Sequence, residues 1–182
     1  MDAKTLLLTR QSTPRLAAPA PTQEQLDFIL DAAIRVPDHC GLTPWEFIIA
    51  EGEGLDKLGA VLSQAAIDKG ADQAFIEKAS KMPHRAPMVI TVVSKIQSHP
   101  KVPELEQHLA AGCATLAMQQ AAFALGLGAI WRTGDFAFNP SVNKGLGIAD
   151  TDQVIGFLYI GTPVTSANIK PQKSGREFVR HL

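Results

Sequence analysis

Apolar residues recur every three or four positions at Leu26, Ile29, Leu30, Ala33 and Ile34, which predicts an amphipathic helix. Its start is marked by Thr22 and Gln25, spaced as a capping box in which each side chain satisfies a free first-turn amide. Pro37 ends it. A short helix is expected over residues 2–9, with Leu6, Leu7 and Leu8 inside it, and residues 10–19 break regularity with two prolines. Aromatic and β-branched content predicts a strand over residues 45–50. A turn at 51–54 leads to two helices near 55–66 and 72–81, with prolines punctuating 83–87. The unbroken apolar run at 88–94 reads as a buried strand. Two further strands are expected, one beginning at 128–131 and one over 153–160. Between them Asn139 and Pro140 open a short helix, with proline at its first position. The pattern gives an α+β chain of roughly four strands with helices between most of them, and a polar, irregular tail after Pro163.

The longest helical segment, 103–125, does not follow the amphipathic rule. Its inner part, 109–124, is rich in Ala, Gly, Leu and Met and almost without charge. A helix apolar on every side must be covered on every side. It is therefore either the central helix of the fold or also packed against a partner subunit. It would span about 34 Å at 1.5 Å per residue, and Gly126 is placed to end it.

Length and composition narrow the class. With 182 residues, 46% hydrophobic and 19% charged, the chain reads as one globular domain over residues 1–182, needing no disulfide or metal staple. A net charge of -1 offers no basic excess for nucleic acid. The basic residues of the tail, Lys170, Lys173, Arg176 and Arg180, read equally as a solvated surface. Cys40 and Cys113 are far apart and form no metal-type pair. The N-terminus lacks a signal-peptide pattern and no window reaches a membrane span, so a cytoplasmic protein is expected.

Most familiar chemistry is missing. The five histidines show no H-x-x-x-H spacing, so no metal site is expected, and neither a nucleophile elbow nor a Walker A loop is present. The Gly-Leu-Gly segments at 126–128 and 145–147 follow helices, whereas a dinucleotide fingerprint follows a strand. Three segments stand out. Arg10, Gln11 and Ser12 leave a helix end together, and guanidinium plus hydroxyl suits a phosphate; the plainer reading is a surface arginine beside a turn serine. Arg35, Asp38 and His39 gather in the loop before a core strand and could rim a ligand, or Asp38 could simply cap a turn beside a solvated His39. Trp131, Arg132 and Thr133 close a short strand where an arginine emerges from apolar residues to meet an anion or an acidic neighbour.

In this order, with the alanine-rich helix between them, these segments resemble the flavin-dependent nitroreductase family, in particular its small YdjA-type NAD(P)H nitroreductases. The carrying strings are TRQS (9–12), RVPDHCGLTPWEFIIAEGEG (35–54), KVPELEQ (101–107), AAGCATLAMQQAA (110–122), GLGAIWRTG (126–134) and VIGFLYIGTP (154–163), so the likeness extends from residue 1 to about 163. It implies a mixed or antiparallel sheet flanked by helices and an intertwined homodimer around the long helix. FMN would lie at the subunit boundary. Carried over position by position, Arg10, Gln11 and Ser12 would hold the phosphate and ribityl end, Arg35 and His39 would reach the flavin from the partner, and Trp131, Arg132 and Thr133 would complete the pocket. Ala121, Ala122, Phe123, Ala124, Leu125 and Gly126 would meet the nicotinamide nucleotide, although they read as buried helix with few donors. NAD(P)H would be the electron donor in a ping-pong scheme ending on an electron-poor small molecule such as a nitroaromatic or quinone. No protein acid or base is obligatory, so no catalytic residue is expected. The alternative is an FMN-binding protein of the same fold with a different flavin reaction or no turnover. Two positions depart from the family pattern. Gln11 replaces the second of two arginines, and Pro14 stands where larger members often place a cation.

Overall fold

The computed structural model describes residues 1–165, 169–171 and 173–182. Among them are six α-helices, α1 (Ala3–Thr9), α2 (Gln23–Ala33), α3 (Glu53–Asp68), α4 (Gln73–Lys81), α5 (Glu104–Ala124) and α6 (Pro140–Leu146). Five strands accompany them, β1 (Leu16–Ala17), β2 (Trp45–Glu51), β3 (Met88–Ser94), β4 (Gly128–Arg132) and β5 (Gln153–Pro163). The class is α+β. Every strand pairing among the described residues is antiparallel, so the mixed-sheet option of the expected architecture is not realised there. Four strands were expected. The fifth, β1, is two residues long and carries no alternation to read.

β5 organises the sheet, pairing with β3, β4 and β1, while β3 also pairs with β2. With neighbours on both edges and helices on both faces, all seven residues of β3 are buried. One face of the sheet (Val89, Val93, Val154, Phe157, Tyr159) packs on α3 and α6 through Leu58, Leu62 and Val142. The other (Met88, Ile90, Val92, Leu158, Ile160) packs on α2 and α5 through Ile29, Ala111, Ala114 and Met118. Each large side chain buried this way contributes roughly 1.5–3 kcal/mol. The register slips once. Val92 faces Gly156 and Val93 faces Val154, so Ile155 bulges out of the ladder.

The predicted caps form. Thr22 and Gln25 make the reciprocal capping box of α2, with bonds of 2.9 and 3.3 Å. Asn139 accepts from the Ser141 amide at the start of α6. Gly126 follows the last turn of α5 at φ +79°, a left-handed conformation that glycine adopts without strain. The short helix expected over residues 2–9 forms as α1, and its leucines face outward. Leu7 and Leu8 are about two-thirds exposed, and α1 buries no residue.

Among the described residues, α5 is covered on one side only. Ala110, Ala111, Ala114, Thr115, Met118, Ala121 and Ala122 face the protein and are buried. Leu105, Leu109, Cys113 and Leu116 recur every three or four residues on the opposite side and are exposed. No helix among the described residues is long and apolar enough to cross a membrane.

Candidate functional site

The site centres on β4. Side chains alternate across a strand, and consecutive residues here serve opposite layers. Trp131 turns toward α5, where its ring lies beside Gly112, and its Nε1–H donates to the Ile155 carbonyl at 3.2 Å. That carbonyl belongs to the bulged residue of β5. Trp131 also covers Gly156 so closely that a Cβ there would lie 2.1 Å from Nε1. Arg132 turns the other way, with its guanidinium carbon 5.9 Å from the ring centre of Tyr159, within cation–π range.

Beside Arg132 opens a cleft of about 600 Å³. Its walls are aromatic and apolar: Phe75 and Phe136, stacked with ring centres 6.0 Å apart, with Phe157, Met82 and Leu62. Its polar groups are Thr133, Tyr159, Arg132, Arg85 and Asp135. Asp135 is already committed to Lys69 at 2.8 Å, which holds its carboxyl below the usual carboxylate range. Burial pushes the Tyr159 phenol up, while the nearby Arg85 and Arg132 charges pull it down. Nε of Arg132 is buried and has no hydrogen-bond partner among the described residues, and the same is true of Nη1 of Arg10. A buried, unsatisfied guanidinium nitrogen is costly. Arg132 closes β4 and lines the cleft, whereas Arg10 is not part of that lining and its segment reaches the other end of β4 through Thr13; each free guanidinium nitrogen suits an anionic group.

The segment carrying Arg10, Gln11 and Ser12 is tied to the opposite end of β4. The Thr13 amide donates to the Ala129 carbonyl at 2.9 Å, and Gln119 of α5 donates both to that carbonyl and to the Ser12 hydroxyl. Arg10 itself is the C-cap of α1, its amide donating to the Leu6 carbonyl. A phosphate-type group held by this segment would therefore sit on a fixed strand end rather than on a free loop.

Arg35 and His39 do not line the Arg132 cleft within one chain. Arg35 is exposed and borders a separate apolar groove of about 560 Å³ between α1, α2 and α5, with Leu6, Phe28, Ala117, Ala121 and Ala124. His39 is not simply solvated. It meets Glu106 of α5 at 2.6 Å, both side chains about half exposed. Asp38 caps the turn, accepting from the amides of Leu42 and Thr43 at 3.2 and 2.7 Å. Those bonds hold an unusual backbone, with left-handed φ at Cys40 (+63°) and at the β-branched Thr43 (+48°). A strained loop kept rigid by a carboxylate is a feature of functional positions. In the segment 121–126, Ala121 and Ala122 are buried in the core against the sheet, and Ala124, Leu125 and Gly126 are exposed. Among the described residues no group of three or more His, Cys, Asp or Glu side chains is placed to hold a metal ion.

Sequence reasoning missed Arg85 and Tyr159. Arg85 stands three residues before β3, separated from it by Ala86 and Pro87 in a proline-punctuated turn, so the rule that singles out Arg132 at the end of an apolar run does not reach it. Tyr159 gave no signal, because a tyrosine inside a core strand looks like packing.

Comparison with known proteins agrees with this layout. The model of the nitroreductase family matches residues 7–162. The chain is 50% identical over 168 residues to an Escherichia coli (strain K12) protein named "Putative NAD(P)H nitroreductase YdjA", covering 92% of each. It is 44% identical to the Haemophilus influenzae "Putative NAD(P)H nitroreductase", covering 92% of this chain and 91% of that one. Among solved structures, the nitroreductase-like family protein from Bacillus cereus superimposes with a TM-score of 0.84 at 20% identity, over 100% of this chain and 96% of the other. A nitroreductase with bound FMN from Bacteroides fragilis gives 0.73 at 18% identity over the whole of both chains. The chain whose strand β4 ends in Arg132 beside an aromatic cleft, on a fold these structures share, is a member of the nitroreductase family, a family of oxidoreductases.

Proposed function

We propose that this protein is an FMN-dependent NAD(P)H oxidoreductase that acts as a homodimer, transferring electrons by a ping-pong scheme to an electron-poor acceptor such as a nitroaromatic or a quinone. The observation that carries the reading is the buried, unpartnered guanidinium nitrogen of Arg132 at the edge of an aromatic cleft, with a second such nitrogen on Arg10, whose segment is tied to the same strand through Thr13. A planar, phosphorylated ring system fits that chemistry: stacked aromatic walls for the ring, arginine forks and a serine hydroxyl for the anion. The names of the relatives, which specify NAD(P)H, and the FMN of the Bacteroides fragilis neighbour point the same way.

Arg10, Gln11 and Ser12 would hold the phosphate and ribityl end. Trp131, Arg132 and Thr133 would close the pocket, with Trp131 acting through the rigidity it gives β4. Arg35 and His39, both outside this chain's own cleft, would serve the partner's cofactor. In 121–126 the open part is Ala124, Leu125 and Gly126, so any contact with the nicotinamide nucleotide falls there. Bound FMN would supply the two-electron chemistry that amino-acid side chains lack; the chain would bind, orient and shield. The dimer is supported by the exposed stripe of α5, which continues into the groove beside α1 and α2. An uncovered apolar surface of this kind marks an interface.

The test is the visible spectrum of the purified protein before and after anaerobic NADH or NADPH, followed by a panel of acceptors. Flavin bands that bleach with the nucleotide and return with the acceptor are expected. A preparation that stays colourless after incubation with FMN would overturn the reading.

A further inference from the structure

The Arg132 cleft holds a second cation that the cofactor assignment above does not use. Arg85 ends the short turn Pro83–Arg85 that leads into β3. It lines the cleft from the β3 side of β5, while Arg132 lines it from the β4 side. Tyr159, paired with Val89 of β3 and Ile130 of β4, lies between them, and both arginine charges act on its phenol. The charge balance of the cleft is uneven. Its carboxylate, Asp135, is engaged by Lys69, and no hydrogen bond or ion pair of the Arg85 side chain is found among the described residues. Two like charges facing one apolar cleft repel each other, and the repulsion grows as water leaves. An anionic group between them reverses the sign of that interaction. The buried, unpartnered Nε of Arg132 points to the same missing ligand.

We propose that Arg85 is the second cation of the cofactor cleft and that, together with Arg132, it grips a negatively charged part of bound FMN. This rests on the reading of the cleft as the FMN site. Arg85 would be a binding residue recruited from the β3 side.

The experiment compares wild-type protein, Arg85→Gln and Arg85→Lys, each stripped of flavin. FMN and riboflavin affinities are read by quenching of flavin fluorescence, the flavin midpoint potential by redox titration, and the flavin-free melting temperature by circular dichroism. Arg85 is exposed and unbonded, so the flavin-free melting temperature should not move. Arg85→Gln should weaken FMN at least tenfold or lower the potential by about 30 mV, the equivalent of a tenfold loss of preference for the reduced form in a two-electron couple. Arg85→Lys should recover part of the loss. A fall for FMN but not riboflavin identifies the gripped group as the phosphate; a fall in potential identifies it as the reduced ring. An Arg85→Gln protein that binds FMN within twofold of wild type at the same potential overturns the proposal and leaves the FMN reading intact. Wild-type protein that takes up no FMN overturns both.

Discussion

The indole of Trp131 donates to the carbonyl of Ile155, the residue that the β5 bulge leaves out of the ladder. Trp131→Phe keeps an aromatic side chain but removes the donor and part of the ring system, leaving the Ile155 carbonyl unpaired, and should cost about 1–2 kcal/mol or more in denaturant unfolding. Gly156→Ala should cost about 2 kcal/mol or more, because the added methyl meets both the indole and the Arg132 carbonyl, itself 2.8 Å away. Lys95 gives a pH-dependent case. Its ammonium lies 2.5 Å from the buried Asp152 carboxylate and 3.3 Å from Glu46, and these carboxylates hold it above the usual lysine range. A raised lysine contributes stability below its ordinary value and loses it as pH rises through the raised one. Urea unfolding should therefore show an alkaline loss of stability in the wild type, and that loss should be absent in Lys95→Met. At neutral pH the substitution should cost about 1–2 kcal/mol, kept modest because Lys95 is about a third exposed. At this scale the sequence was informative where a residue broke its local pattern. Arg132 leaving an apolar run is such a break. The contact of His39 with Glu106, 67 positions away, is not, since nothing local announces a partner at that distance.

Elements were legible in proportion to their periodicity. α2 declared itself by its stripe and its capping box, and Thr22→Ala should lower stability by about 1 kcal/mol, measured by thermal or urea unfolding, because the Gln25 amide loses the Thr22 hydroxyl that accepts from it. β3 was legible as an unbroken apolar run, since a strand paired on both edges and covered on both faces has no polar side to show. β1 was invisible, because two residues cannot display a period. Register was also beyond reach. The bulge at Ile155 depends on which residue of β3 faces Gly156, a long-range fact. α5 was legible as a helix but not in its division of labour. Alanine dominates its buried side and leucine marks its exposed side, the reverse of what hydrophobicity alone would suggest.

At the scale of the whole molecule, that inverted helix sets the main prediction. An exposed stripe of Leu105, Leu109 and Leu116 running beside the groove of Phe28 and Ala124 should meet a second copy. Sedimentation equilibrium should give a dimer for the wild type. The double variant Leu109→Asp, Leu116→Asp should give a monomer, because two carboxylates would have to be desolvated in the contact. Its affinity for FMN should fall as well, since Arg35 and His39 could no longer approach a neighbouring cleft. An unchanged dimer would move the interface elsewhere. The sequence carried half of this conclusion. A helix without a polar face demands cover, but whether the cover is the same chain or another depends on how far the rest of the fold wraps around it.

The five residues of β4 present side chains to both faces of the sheet, and this alternation makes function depend on phase. If β4 slid by a single residue against β5, indole and guanidinium would change places. The ring would fill the cleft, and a charge would be pressed into the small-residue packing of α5. An insertion or deletion anywhere between Gly128 and Arg132 should therefore abolish folding and cofactor retention together, whereas lengthening the exposed turn after Thr133 should be tolerated far better.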